Sequence, residues 1–203
     1  MNQLLYRRRQ LFYLGLGIAG AGTATALRFH SRKSQSTAAI ATHGLIREEN
    51  STEVATLLPA GKALPEFQGI KQWLNSVPLS TDDLKGNVVL VQFWTFACIN
   101  CQRTLPYVTR WHRQYAAQGL KVIGIHTAEF AFERDVNNIK RALQQHKITY
   151  PVPVDNEYKT WKAYNNEYWP HLFLADRQGL LRYDHIGEGA YDQTEQTIRQ
   201  LLR

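Results

Sequence analysis

Cysteine is nearly absent from this chain: its 203 residues include only Cys98 and Cys101. One pairing at most is available, which excludes a scaffold stapled by several disulfides. There is no second C-x-x-C. The seven histidines (30, 43, 112, 126, 146, 171 and 185) contain no pair at H-x(3–5)-H spacing, so the usual four-ligand frame of a structural zinc site is missing and no metal is expected. Acidic residues are absent from the first 33 positions, where Arg7, Arg8, Arg9, Arg28, Arg32 and Lys33 carry most of the formal charge of +7. The rest of the chain is almost neutral. Basicity is therefore a property of the terminus, and it gives no argument for nucleic-acid binding. Long apolar runs are also lacking: the stretch 11–27 sits at the lower limit for spanning a bilayer and is interrupted by Gly15, Gly17, Gly20 and Gly22.

What that terminus does contain has a recognisable order. Arg7-Arg8-Arg9-Gln10-Leu11-Phe12, a modest apolar stretch and Ala24-Thr25-Ala26 read as an export signal with a small-residue cleavage site. The arginines before Gln-Leu-Phe resemble a twin-arginine signal. An uncleaved anchor through residues 11–27 is the alternative. Either way residues 1–27 predict an extracytoplasmic domain. Residues 28–60, rich in Ser, Thr and Ala, read as a flexible linker, and 61–203 as the folded domain.

Within that domain, residues 64–67 and 69–74 suggest an opening strand and turn. Residues 88–94 form an apolar strand that should be covered on both faces. Leu105, Val108, Trp111, His112 and Tyr115 recur at helical spacing over about 99–117, with Pro106 expected to kink or break the helix and Gly119 to end it. A second strand is expected at 120–125, an amphipathic helix at 131–146, a short strand at 150–154 and a helix near 157–164. A hairpin from 172–174 and 181–186, turning at 176–179, and a last helix at 191–202 complete an α/β sandwich.

The two cysteines lie where the first strand hands over to the first helix. A helix N-terminus presents unpaired N–H groups and a positive dipole end, both favouring a thiolate. That lowers a thiol from roughly 8.5 to about 6–8, short of the far lower values of strong oxidants. No cation lies between the cysteines, and Arg103 should point to solvent. The chemistry implied is thiol–disulfide exchange without a cofactor. A structural disulfide would close too short a loop to stabilise much. Thr95-Phe96-Ala97-Cys98 also has the T-x-x-C end of the peroxiredoxin pattern, leaving a thiol-dependent peroxidase open, although Val91 stands where that pattern has proline. A non-catalytic binding module is a third alternative.

The run from Val89 to Cys101, followed by Arg103-Thr104-Leu105-Pro106-Tyr107-Val108, resembles TlpA-like, thioredoxin-like thiol–disulfide oxidoreductases, closest to the branch associated with cytochrome-c-biogenesis-type membrane electron conductors. Gly69-Ile70, Trp73-Leu74-Asn75-Ser76, His126-Thr127-Ala128-Glu129-Phe130, Tyr168-Trp169-Pro170 and Gly187-Glu188-Gly189 extend the resemblance over about 64–202. It implies a thioredoxin-like fold, a central mixed β-sheet flanked by helices. It further implies a redox-active Cys98–Cys101 disulfide, a cis-proline at Pro170 that offers the Trp169 backbone to substrate, protein thiols or disulfides as partners, and a membrane electron donor. His171, just beyond the proline, could tune the pair or serve only as a strand residue. Two positions depart from the family pattern. Gln92 stands where many thioredoxins have a buried acid, and Thr104 where several relatives have glutamate. Glu129, at the end of the second strand, is the remaining acid–base candidate.

Overall fold

The computed structural model describes residues 61–203; the expected export segment or anchor (1–27) and linker (28–60) lie outside the described residues. Among the described residues no helix is long and apolar enough to cross a membrane.

The chain runs β1 (Trp73–Leu74), β2 (Val88–Trp94), α1 (Ile99–Tyr115), β3 (Leu120–His126), α2 (Val136–Gln145), β4 (Val152–Pro153), α3 (Lys159–Ala163), β5 (His171–Ala175), β6 (Leu181–Ile186) and α4 (Tyr191–Leu202). The main sheet has the order β3-β2-β5-β6, with β2 parallel to β3 and antiparallel to β5. It is the expected mixed sheet of a thioredoxin-like fold.

Strand β2 is central because every one of its side chains is buried. Val88, Leu90 and Trp94 pack with Leu105 and Val108 of α1, Ile139 of α2 and Ile198 of α4. Val89, Val91 and Phe93 face the other way, onto Leu84, Trp161, Tyr164 and Phe173. With helices or loops covering both faces, an unbroken apolar run is what the position requires. Gly124 in β3 is set by close approach: a Cβ there would stand 2.7 Å from the buried Tyr150 ring. Gly119 adopts φ +101° and ends the α1 region, as expected.

Several boundaries differ from the sequence reading. Residues 64–67 form no strand; Ala63 makes one bridge to Leu180, and the first paired segment is β1. Helix α1 is one unbroken helix through Pro106. Proline removes only one N–H, whereas Leu105, Val108 and Trp111 bury the same face on both sides of it. The segment expected to begin a helix at 131 is a 3-10 turn, Ala131–Arg134, and α2 begins only after Asp135, whose carboxylate accepts from the Asn137 N–H at 2.7 Å. The strand expected at 150–154 contracts to β4. Helix α3 starts at Lys159 because the buried Asp155 carboxylate accepts from the N–H groups of Lys159 and Trp161.

Candidate active site

Cys98 is the N-cap of α1, with an extended backbone, and its carbonyl accepts the first helical hydrogen bond from Gln102 N–H at 3.0 Å. Its half-buried sulfur accepts the Cys101 N–H at 3.3 Å. Cys101, one turn in, is fully buried among Leu105, Val108 and Leu172. Both are free thiols in this structure.

The two environments separate the thiols electrostatically. A hydrogen bond from the Cys101 side chain outweighs partial burial and, with the backbone N–H groups of Cys101 and Asn100, holds Cys98 down from 9.0 to about 7; the Glu129 charge opposes this. Burial pushes the Cys101 thiol far up. Sharing its proton with Cys98 and standing near the Cys98 and Glu133 charges act in the same direction. Near neutral pH such a site holds one thiolate at the surface and one protonated thiol behind it.

A buried polar network underlies the pair. Glu133, in the turn after β3, is fully buried. Its Oε1 accepts from the Thr95 hydroxyl and from Ala97 N–H at 3.0 Å. Its Oε2 accepts from Glu129 N–H at 2.8 Å and Phe130 N–H at 2.7 Å. Thr95 Oγ1 also lies 3.3 Å from Nε2 of the buried His126. Burial lowers His126 to about 4, against the attraction of Glu133, so its ring is neutral at ordinary pH.

The remaining candidates are placed as follows. Glu129 is exposed, close enough for its charge to act on Cys98. Pro170 is buried and follows a cis peptide bond from Trp169. The Trp169 indole donates to Thr127 O at 3.0 Å and packs on Trp161 with ring centroids 4.2 Å apart. Trp169 and Cys98 border the same core cluster. His171 is buried, with Nδ1 2.6 Å from Asn166 Oδ1 and Nε2 3.1 Å from Asp184 Oδ2, so its ring is engaged away from the cysteines. Arg103 is exposed and pairs with Glu188 at 3.2 Å. Thr104 donates to Asn100 O at 2.9 Å. Gln92 is fully buried, with neither amide atom hydrogen-bonded. Among the described residues no group of three or more His, Cys, Asp or Glu side chains could hold a metal ion.

Glu133 is the group the sequence reading missed. Its neighbours in sequence are charged and aromatic, and it looks like any solvated helix residue. Only its four-residue spacing from Glu129, turning back over the end of β3, could have drawn attention to it.

Fold and site together define a thioredoxin-like dithiol protein. More particularly, the chain belongs to the AhpC/TSA family, which matches residues 60–184. It is 42% identical over 156 residues to Protein DipZ of Mycobacterium tuberculosis, covering 75% of this chain and 22% of that protein; the chain thus spans about a fifth of that relative's length. It is 29% identical to the thiol-disulfide oxidoreductase YkuV of Bacillus subtilis, covering 68% of this chain and 93% of that one. Among solved structures, a thiol-disulfide isomerase from Corynebacterium glutamicum superposes with a TM-score of 0.60 at 28% identity, covering 73% of this chain and 96% of that one. These relatives agree with the TlpA-like resemblance.

Proposed function

We propose that this protein is an exported thiol–disulfide oxidoreductase that works through Cys98 and Cys101 on protein thiols or disulfides outside the cytoplasm. The observation that carries this reading is the pairing of a half-buried thiol held to about 7 with a fully buried one a helical turn behind it. The thiol-disulfide oxidoreductase and isomerase names of the relatives support it.

In the reducing direction the Cys98 thiolate attacks a substrate disulfide. A Cys98–substrate bond forms, and the other substrate sulfur leaves and is protonated. Cys101 then loses its proton and attacks Cys98 Sγ, releasing the second substrate thiol and leaving a Cys98–Cys101 disulfide. Two electrons have passed to the substrate. A donor is needed to restore the dithiol, and a membrane electron conductor is the class the sequence resemblance suggests. Glu129 is the exposed carboxylate proposed to exchange protons with the pair. The backbone at Trp169, before the cis-proline, is proposed to pair with an extended substrate segment. A Cys98 thiol near 7 favours a reductant or isomerase-like poise over a strong oxidant.

A peroxidase reading is weaker because the Thr95 hydroxyl is engaged by Glu133 and His126, not free to meet a peroxide. An inert binding module would hold an unreactive pair, which thiol titration before and after mild reductant distinguishes. The main test is trapping: Cys101→Ser should accumulate mixed disulfides with substrate proteins, and Cys98→Ser should trap none and lose insulin reduction. Retained reductase activity in Cys98→Ser would overturn the assignment.

A further inference from the structure

The Glu133 carboxylate has an unusual set of partners. Four donors converge on it: the Thr95 hydroxyl, and the N–H groups of Ala97, Glu129 and Phe130. A glutamine would turn an N–H toward one of those donors, and a protonated acid an O–H. An ionised carboxylate offers only acceptors and fits all four.

Those donors belong to two different loops. Thr95 and Ala97 lie on the strand-to-helix connection immediately before Cys98, while Glu129 and Phe130 lie on the connection leaving β3. Glu133 therefore ties both loops together beneath the cysteines. The Thr95 backbone opposes the burial that raises the Cys101 thiol, so the residue whose hydroxyl meets the carboxylate also acts on the buried thiol. The other ionisable groups facing Glu133 are His126 from β3, Glu129 from its own loop and Tyr158 from the segment before α3, with Arg134 next in sequence. Neutral His126 meets the Thr95 hydroxyl, and no cation meets the carboxylate among its hydrogen-bond partners. Its charge is thus left to act on the cysteine pair.

We infer that Glu133 is a positioning residue for the redox centre: it clamps the two loops flanking Cys98 and Cys101, and its buried charge biases the pair toward the disulfide. The inference rests on the redox reading above. The sign follows from charge. Glu133 holds the N–H of Ala97, the residue immediately before Cys98, at 3.0 Å. The dithiol state adds a Cys98 thiolate beside that fixed anion and the disulfide state does not, so the anion destabilises the reduced form relative to the oxidised one. The protein becomes a better reductant. The role is distinct from that of the buried acid of many thioredoxins, whose position is Gln92 here. Glu133 comes from another element, and all its hydrogen-bond partners are donors from the two loops.

The test is equilibration of the full-length protein with glutathione redox buffers. Glu133→Gln should move the equilibrium about threefold to tenfold toward the dithiol, at most about 30 mV less negative, and lower the Cys98 alkylation midpoint. Glu133→Asp, which keeps the charge, should stay near the unaltered value even if less stable. Equal potentials and midpoints in Glu133→Gln and unaltered protein would overturn the inference. Should the glutamine variant not fold, the unaltered protein still decides. The Glu133 carboxyl ¹³C resonance should shift with Cys98 ionisation in the dithiol form and stay flat in the disulfide form; no shift in the dithiol form overturns it. If the unaltered protein fails to equilibrate with glutathione at all, the functional reading fails and not this inference alone.

Discussion

At Cys98 a small set of contacts produces the property on which the chemistry depends. The hydrogen bond from Cys101 and the helix N-terminus together outweigh partial burial and the opposing charge of Glu129. Because the thiolate is the reactive species, alkylation of Cys98 should rise with pH through a midpoint near 7. Cys101, buried and pushed far up, should stay unmodified in the same experiment. Glu129→Gln removes an opposing negative charge and should move the Cys98 midpoint down. Stopped-flow iodoacetamide kinetics with mass-spectrometric assignment measures all three, and preferential labelling of Cys101 would contradict them. The sequence alone placed this thiol at about 6–8 from helix-terminus energetics. The N-cap position behind that expectation is a local property of the chain, whereas the Cys101 side-chain hydrogen bond that acts most strongly on Cys98 is set by the folded helix turn. Glu133 was not legible, since its importance comes from four donors gathered from two other parts of the chain. Gln92 was singled out correctly as a departure, yet its two unpaired amide atoms are a fact of packing alone.

Among the elements, β2 and α1 were the easiest to anticipate, because an unbroken apolar run and a 3.6-residue period are strong local signals. Pro106 did not break the helix, because the buried face of α1 runs through it and outweighs the lost ladder hydrogen bond and the crowding of the proline ring. The start of α2 moved for a similar reason, since Asp135 caps the helix while residues 131–134 are drawn into the turn that delivers Glu133. Strand β3 contains a tighter constraint. Trp94 Nε1 donates to Gly124 O at 3.2 Å while the Tyr150 ring lies over the same glycine. Gly124→Ala would drive a methyl group into a fully buried ring and should cost about 1–3 kcal/mol. Urea denaturation would measure it, and an unchanged midpoint would show that Tyr150 yields without penalty.

For the whole molecule, the charge distribution separates two tasks. The basic first 33 residues carry the proposed address, and the nearly neutral remainder carries the proposed chemistry. If the twin-arginine route is used, replacing Arg8 and Arg9 together by lysine should leave an uncleaved precursor in the cytoplasm, detected by fractionation and immunoblotting. Export at the normal level would point instead to the general secretory route or to anchoring through residues 11–27. The mycobacterial relative matched over 22% of its length shows a related domain within a far longer protein. A tethered dithiol domain beside a membrane electron donor is the arrangement we propose here, and loss of the reduced form in cells lacking that donor would support it.

What the sequence determined by itself was everything that depends on neighbours along the chain. That comprises the apolar strand, the amphipathic helices, the two cysteines at a helix start, the proline before β5 and the class of chemistry these imply. Tertiary structure decided which polar groups lie inside. Glu129 and Glu133 stand four residues apart and look equivalent in sequence, yet one is exposed and the other fully buried. The reason is physical: an ionised carboxylate can enter a protein interior only where enough donors meet it. Here those donors come from the two loops that close around the cysteines, and only folding brings them together.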